Sequence, residues 1–224
     1  MYWIWPTHRF YGTEYPVFKA YQKLRDHLGD TLLSVYASGD TRLYTTRDSK
    51  TGELAVWALN FANQTSATVQ LQFHNLPRVQ RATLLRLQDQ SGTTTLLSAN
   101  LAPDMAGGPT LQVDWSSSDL TGQSLSNFNL SLPAATLSLL VIEPGLEEIT
   151  PTFIEQGGEK RFGVTFRPVP YASAASYRLL RSDDLAQWQT VAEAQAGASD
   201  WLILTDTVPA SSAPRRFFRV EIVR

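Results

Sequence analysis

Residues 136–145 read TLSLLVIEPG, and apolar side chains fill almost every position from Leu137 to Ile142. A run this short and this apolar is typical of a strand that is buried on both faces in the middle of a sheet. Pro144 and Gly145 end the run, and a proline followed by a glycine favours a turn or a linker. The stretch therefore predicts a central β-strand and, directly after it, a boundary between two domains.

Short segments in which apolar and polar residues alternate lie on both sides of this boundary, separated by turn-forming residues. Further strands are predicted upstream at Thr31–Ala37, Thr41–Thr46, Glu53–Phe61, Thr68–Phe73, Arg81–Gln88, Leu111–Trp115 and Phe128–Leu132. Strands are predicted downstream at Thr152–Glu155, Phe162–Arg167, Ser176–Arg181, Gln189–Glu193, Trp201–Asp206 and Arg216–Val223. The sequence thus predicts a mainly β protein of two antiparallel β-sandwiches, residues 31–145 and residues 146–224. The second has the size of an immunoglobulin-like or fibronectin-III-like sandwich.

One helix is predicted near the N-terminus, over Tyr15–Leu28. Apolar residues recur there at spacings of four, three and four and line one face: Val17, Tyr21, Leu24 and Leu28. Pro16 suits the first helical turn, where its missing N–H is no loss. Gly29 suits the position just after the C-terminus of a helix.

Composition excludes several classes of function. The 224 residues are 43% hydrophobic, carry a formal net charge of −2 and contain no cysteine. The basic residues form no stripe that would neutralise phosphates, so we expect no nucleic-acid partner. Disulfides and thiolate metal sites are excluded. No apolar stretch approaches the ~20 residues that a membrane span requires.

Two parts of the chain resemble known proteins. Residues 2–40, YWIWPTHRFYGTEYPVFKAYQKLRDHLGDTLLSVYASGD, and residues 52–63, GELAVWALNFAN, resemble the end of a secreted bacterial (β/α)8-barrel glycoside hydrolase and its join to an accessory β-sandwich. The resemblance implies that residues 1–30 are the last barrel strand and helix and that residues 31–145 are the accessory sandwich. It also implies that the catalytic carboxyl groups lie on barrel strands outside this chain.

The second resemblance lies in residues 176–194, SYRLLRSDDLAQWQTVAEA, and residues 217–223, FFRVEIV. They resemble a C-terminal module of secreted proteins from Verrucomicrobia-like bacteria, with a Tyr-led strand, a Ser-x-Asp-Leu-x-x-Trp segment and an aromatic-Arg-Val strand. The matching residues are Tyr177, Ser182, Asp184, Leu185, Trp188, Phe218, Arg219 and Val220. The resemblance implies a fibronectin-III-like sandwich for residues 146–224.

The segment Tyr2–Leu28 is too apolar for a free tail. We expect its helix to pack one face on the first sandwich. The aromatic strand Tyr2–Trp5 is then expected to lie on that sandwich, to pair with another copy of the chain, or to meet the upstream barrel. An exposed apolar patch here would favour self-association.

No residue is predicted to be catalytic, and neither a cofactor nor a metal site is predicted. Glycoside hydrolysis needs two positioned carboxyl groups, and no such constellation is evident in the sequence. His8, His27 and His74 have none of the paired spacings of metal ligands. His8 follows the predicted barrel strand and would face the cleft of the parent enzyme. The alternative is a loop histidine packed against a neighbouring aromatic ring.

Aromatic residues are the candidates for ligand binding, because sugar rings stack their C–H faces on Trp and Tyr. Trp115 ends a predicted strand, Trp201 begins one, and Tyr171 lies in a loop next to a proline. These three are the predicted carbohydrate-binding residues, with a structural role as the alternative for each. Trp57 and Trp188 are predicted to be core residues.

The leading hypothesis for function is a non-catalytic accessory region of a polysaccharide-degrading glycoside hydrolase, with a structural role and carbohydrate binding as a further possibility. The alternative is a stand-alone carbohydrate-binding module. Both place the protein outside the cytoplasm, extracellular or periplasmic, with a polysaccharide or oligosaccharide as ligand. The other expected partner is the upstream catalytic barrel, and the chain itself is expected to have no enzyme activity.

Overall fold

The computed structural model describes residues 16–62, 64–89, 113–170, 172–173, 175–197, 201–212 and 215–223. These residues form one α-helix, α1 (Pro16–His27), a 3₁₀ turn at Ala210–Ser212 and a series of strands. The strands are β1 (Thr31–Ser38), β2 (Thr41–Arg47), β3 (Leu54–Asn60), β4 (Ala67–Gln72), β5 (Val79–Asp89), β6 (Val113–Asp119), β7 (Asn127–Leu132), β8 (Thr136–Pro144), β9 (Glu147–Gln156), β10 (Glu159–Arg167), β11 (Ser176–Ser182), β12 (Gln189–Gln195), β13 (Leu202–Pro209) and β14 (Phe217–Val223). The prediction of a mainly β protein with antiparallel sheets and an N-terminal helix is confirmed.

The chain divides into two compact units. The first runs up to Arg47, from Glu53 to Leu76 and from Arg81 to Ile142. The second takes the short segments Asp48–Gly52 and Pro77–Gln80 and everything from Glu143 onward. Independent folding of residues 31–145 and 146–224 stays a prediction.

The first unit contains a six-stranded sheet in the order β1-β2-β3-β8-β5-β6 and a two-stranded sheet, β4-β7. The apolar run that predicted a central strand is β8, which pairs antiparallel with β3 from Thr136 to Ile142. Alternation divides the side chains of these two strands between the two faces of the sheet. Ala55, Trp57, Leu139 and Val141 form one buried cluster, on which Leu24 of α1 packs. This contact confirms that the helix packs on the first sandwich.

The second unit contains two three-stranded sheets, β13-β10-β9 and β12-β11-β14. Its core contains Phe166, Tyr177, Leu179 and Leu204, all at most 2% exposed. Tyr177 is buried but keeps a hydrogen bond, because its hydroxyl accepts from the Val169 amide at 2.8 Å. Burial raises the pKa of this phenol despite the hydrogen bond. Strand β9 begins at Glu147, earlier than the sequence pattern indicated, because that residue pairs with Arg167 of β10.

A charged pair joins the two sheets of the second unit. Asp206 of β13 is 1% exposed, and both of its carboxylate oxygens accept from the Arg181 guanidinium, at 2.9 and 3.2 Å. Arg216 Nη1 lies 3.6 Å from the same carboxylate. Two guanidinium groups therefore compensate the charge that burial would otherwise penalise.

Asn60 connects the two layers of the first unit. It ends β3 and is 2% exposed. Its Nδ2 group donates to the carbonyls of Thr65, Leu132 and Pro133 at 2.9, 3.1 and 3.0 Å, and its Oδ1 accepts from the Ala62 amide at 3.1 Å. This one side chain thus holds the segment that follows β3 against the end of β7. Only asparagine and the longer glutamine carry both an NH₂ donor and a carbonyl acceptor on the same side chain.

We expect Asn60→Ala to lower the free energy of unfolding of the first unit by about 2–3 kcal/mol, because buried carbonyls lose their donors. Urea denaturation followed by tryptophan fluorescence measures the change. Asn129→Ala is the matched control, since Asn129 is an exposed asparagine on β7 and should change stability by less than about 0.5 kcal/mol. If Asn60→Ala and Asn129→Ala lower the free energy of unfolding by the same amount, the hydrogen bonds of Asn60 do not stabilise the first unit as proposed.

Candidate functional site

Of the predicted site residues, Trp115 and Trp201 lie in the described part of the chain, whereas His8 and Tyr171 lie outside it. Trp115 lies on β6 and is half-buried. Its side chain packs against Leu87 and Val113, the same buried pair on which Ala20 of the helix packs. The indole therefore lies on the face of the sheet that carries α1.

Polar contacts hold the N-terminal half of α1 at the same place. Trp115 Nε1 donates to the Lys19 carbonyl at 3.2 Å, and Lys19 Nζ lies 3.1 Å from Asp114 Oδ1. Partial burial raises the pKa of Asp114, but the Trp115 amide and the Lys19 ammonium outweigh it, and the pKa lies below its ordinary value. The helix thus begins beside β6, one edge of the six-stranded sheet.

The C-terminal end of α1 is fixed near the opposite edge. His27 Nδ1 lies 2.9 Å from Glu53 Oε1, next to the start of β3, and the Gly29 amide donates to Thr46 Oγ1 of β2 at 3.2 Å. Twelve helical residues span about 18 Å, and six strands about 24 Å. The helix therefore crosses the sheet from β6 toward β2, and the sheet face beside it remains uncovered by the described residues.

A groove of about 370 Å³ lies between α1 and this uncovered face. All of its lining residues except Thr46 are apolar: Val17, Ala20, Tyr21, Leu24, Leu28, Leu32, Tyr44, Trp57, Leu59 and Leu137. The predicted apolar stripe of the helix thus exists, but most of it lines the groove. Val17 and Tyr21 are 59% and 64% exposed, and the residues that pack on the sheet are Ala20 and Leu24.

Trp57 is 5% exposed, which confirms the prediction that it is a core residue. It is also one of the residues that line the groove. Its Nε1 is buried and has no hydrogen-bond partner among the described residues. An unsatisfied buried donor costs about 1–3 kcal/mol. This donor is buried beneath the groove, whose own surface is apolar.

Trp201 directly precedes β13 in the second unit and is 39% exposed. The Arg167 guanidinium carbon lies 5.0 Å from the centroid of its ring, and Arg167 Nε lies 3.3 Å from Glu148 Oε2. A partly exposed indole beside a guanidinium and a carboxylate presents both a stacking surface and hydrogen-bonding groups. Sugars use both kinds of contact.

The Ser-x-Asp-Leu-x-x-Trp segment forms the turn between β11 and β12. Ser182 Oγ accepts from the Leu185 amide at 2.9 Å, and Asp184 Oδ1 accepts from the amides of Ala186 and Gln187 at 2.8 and 2.9 Å. Leu185 has a φ of 66°, a left-handed conformation that these bonds hold in place. The segment therefore determines the local backbone of the turn.

Trp188 closes the same turn, and its prediction as a core residue is wrong. The ring is half-buried, its Nε1 donates to the Leu185 carbonyl at 3.2 Å, and the Arg219 guanidinium lies 4.3 Å from its centroid. The position follows from the hydrogen bond, which draws the indole onto the turn.

The described residues contain no group of three or more His, Asp or Glu side chains placed to hold a metal ion. They also contain no helix with the length and hydropathy that a membrane span requires.

Solved structures similar to this chain include glycoside hydrolases. They include a bifunctional glucanase–xylanase from a metagenome library, with 21% identity over 58% of this chain and 22% of that one and a TM-score of 0.39. An α-L-arabinofuranosidase from Thermotoga maritima matches at 14% identity over 57% of this chain and 29% of that one, with a TM-score of 0.40. A family 44 xyloglucanase from Paenibacillus polymyxa matches at 14% identity over 51% and 19%, with a TM-score of 0.35.

This chain thus spans between 19% and 29% of the length of these three proteins. No protein-family model and no curated protein matches the chain.

Sequence reasoning missed the groove, although β1 carried a signal. Its sequence TLLSVYAS places Leu32, Leu33, Val35 and Tyr36 at both odd and even positions, which is not the alternation of a strand with one wet face. A strand that is apolar on both faces needs cover on both. The described residues leave it exposed from Leu32 to Ser38.

The turn at Asp184 generates a pH prediction. Amide donors at Gln187 and Ala186 and the Ser182 hydroxyl lower the pKa of Asp184. Its contribution to stability is therefore complete above about pH 4, the ordinary pKa of Asp, and is lost as the pH falls through the lower folded value. We expect the free energy of unfolding of Asp184→Asn to fall less steeply than that of the wild type over this acidic range. Urea denaturation at a series of pH values tests this, and equal slopes would contradict it.

Proposed function

We propose that this chain is a non-catalytic accessory region of a polysaccharide-degrading glycoside hydrolase, and that it docks on the catalytic barrel of its parent protein through the groove between α1 and the six-stranded sheet. The observation that carries the proposal is the concentration of exposed apolar side chains around this groove. In this proposal the parent protein acts outside the cytoplasm.

In the described part of the chain fifteen large hydrophobic residues are exposed, and five of them line the groove. These five are Val17, Tyr21, Leu28, Leu32 and Tyr44. A contiguous exposed apolar patch marks an interaction surface in a soluble protein. Burying such a surface contributes about 25 cal/mol for each Å² removed from water.

The nature of the lining supports a protein partner. No charged residue lines the groove, so a docked partner need not compensate any buried charge. The resemblance of residues 2–40 to the end of a barrel indicates an upstream domain as that partner.

The docking proposal is tested with the sequence that precedes Met1 in the gene, which we expect to encode the remaining strands and helices of a (β/α)8 barrel. We expect this upstream part of the barrel, expressed separately, to co-purify with this chain, and Tyr21→Asp to weaken the complex at least about ten-fold, because a carboxylate would be buried without a partner. Phe153→Asp is the matched control, since Phe153 is also 64% exposed but lies on β9 of the second unit.

Isothermal titration calorimetry measures both variants against the wild type. Equal affinities for Tyr21→Asp and the wild type would rule out the groove, and an upstream sequence without barrel strands would rule out the accessory role.

Carbohydrate binding is the second candidate function, and the exposed indole of Trp201 beside Arg167 favours it. A neutral sugar ring would stack on the indole while its hydroxyls accept from the guanidinium. Trp115 is a weaker candidate because its indole N–H is already bonded to the Lys19 carbonyl. Tyr171 stays a prediction from the sequence.

We expect soluble glucan, xylan or galactan in a native gel to retard the chain, and Trp201→Ala to abolish the retardation because the stacking surface is lost. Phe153→Ala, which removes another exposed aromatic of the second unit, should leave the retardation unchanged. The polysaccharide should remain uncleaved, as a reducing-end assay would show. If Trp201→Ala is retarded as strongly as the wild type, Trp201 is not part of the binding site. If the chain cleaves the polysaccharide and one Asp or Glu substitution abolishes the cleavage, the chain is not non-catalytic.

A further inference from the structure

Strand β1 is an edge strand with an unusual surface. It lies at the end of the six-stranded sheet, and β2 is the strand that pairs with it among the described residues. Every residue from Leu32 to Ser38 is exposed. An exposed edge with apolar side chains offers unpaired backbone groups to any other strand that can approach.

Apolar side chains lie on both faces of this edge. Val35 lies opposite Tyr44, which lines the groove, and Tyr36 lies opposite Leu43, which belongs to the other, buried face of the sheet. Val35 and Tyr36 are 56% and 48% exposed. Neither layer of the first unit therefore extends far enough to cover β1.

Other edge strands of the described residues carry protection that β1 lacks. Strand β6 contains Asp114 and Asp119, and β9 contains Pro151 together with three glutamates. Charges and proline at an edge are the usual means of preventing edge-to-edge pairing. Strands β4 and β7 have no charge, but their residues alternate between exposed polar and more buried apolar side chains. Strand β1 has neither a charge, nor a proline, nor such alternation.

We propose that β1 is an interface between two copies of this chain, whose β1 strands pair antiparallel and join the two six-stranded sheets. A second copy fits because β1 carries no charge, so two identical edges do not repel each other. Antiparallel pairing about a two-fold axis also satisfies both edges at once. This inference is independent of the proposed function, since it uses the edge of the sheet and not the groove.

The register follows from the irregularity within β1. Pairing with β2 shifts between Leu32 and Ser34, whereas Ser34–Ser38 pairs regularly. The regular segment is the one that can accept another strand, and its centre is Tyr36. In the symmetric dimer Tyr36 then lies opposite Tyr36 of the second copy, an aromatic cross-strand pair of a stabilising kind. Ser34 lies opposite Ser38 of the second copy.

Cysteine probes test this register directly, because the chain contains no cysteine. Directly opposite residues of antiparallel strands have Cβ atoms about 4.5–5.5 Å apart, close to the spacing that a disulfide needs. We expect a mixture of Ser34→Cys and Ser38→Cys chains to form disulfide-linked dimers under mild oxidation. Each variant alone should cross-link far less. Equal cross-linking by single variants and mixture, or none at all, would overturn the proposed pairing.

Sedimentation equilibrium tests the interface itself. We expect the wild-type chain to dimerise and Tyr36→Lys to raise the dimer dissociation constant about ten-fold or more, because two ammonium groups would lie opposite each other. Phe153→Lys, a matched change on the protected strand β9, should dimerise like the wild type. A monomeric wild type, or a Tyr36→Lys chain that dimerises as strongly, would overturn the inference. Neither result would bear on docking through the groove, since Tyr36 lies on the opposite face of the sheet from Tyr44.

Discussion

A six-stranded sheet has two faces to remove from water, and among the described residues a single helix of twelve residues lies on one of them. The helix spans about 18 Å, and its contacts run from Trp115 on β6 to Thr46 on β2 by way of Gly29. It covers the strip of sheet beneath Ala20 and Leu24 and leaves the rest open. The groove and the exposed half of the helix both follow from this incomplete cover.

The opposite face of the sheet is covered more fully. There Asn60 fixes the end of β3 to the carbonyls of Leu132 and Pro133, and Leu130 and Leu132 of β7 are fully buried. The side chains of α1 that line the groove reach no such state. This difference between the two faces is the physical basis of the proposal that another domain docks in the groove.

The core of the second unit lies between its own two sheets. Its two three-stranded sheets enclose Phe166 and Tyr177, and the Arg181–Asp206 pair links them. Two exposed aromatic residues of this unit lie at different edges of one sheet, Trp201 directly before β13 and Phe153 on β9. The proposal of carbohydrate binding therefore concerns this unit, whereas the docking proposal concerns the first.

The sequence by itself determined the strands, the helix and the central position of β8, because periodicity and turn residues are local properties of the chain. It also identified Trp57 as buried, since that residue lies in a strand that is apolar throughout. It could not assign Trp188, whose indole is drawn onto its own turn by one hydrogen bond to Leu185. Only the tertiary structure decided which face of α1 contacts the sheet. Four apolar residues on one stripe of a helix do not reveal whether they pack on the sheet of the same unit or on another domain. That choice depends on where Trp115 and Glu53 hold the two ends of the helix, and these contacts join residues far apart in the sequence.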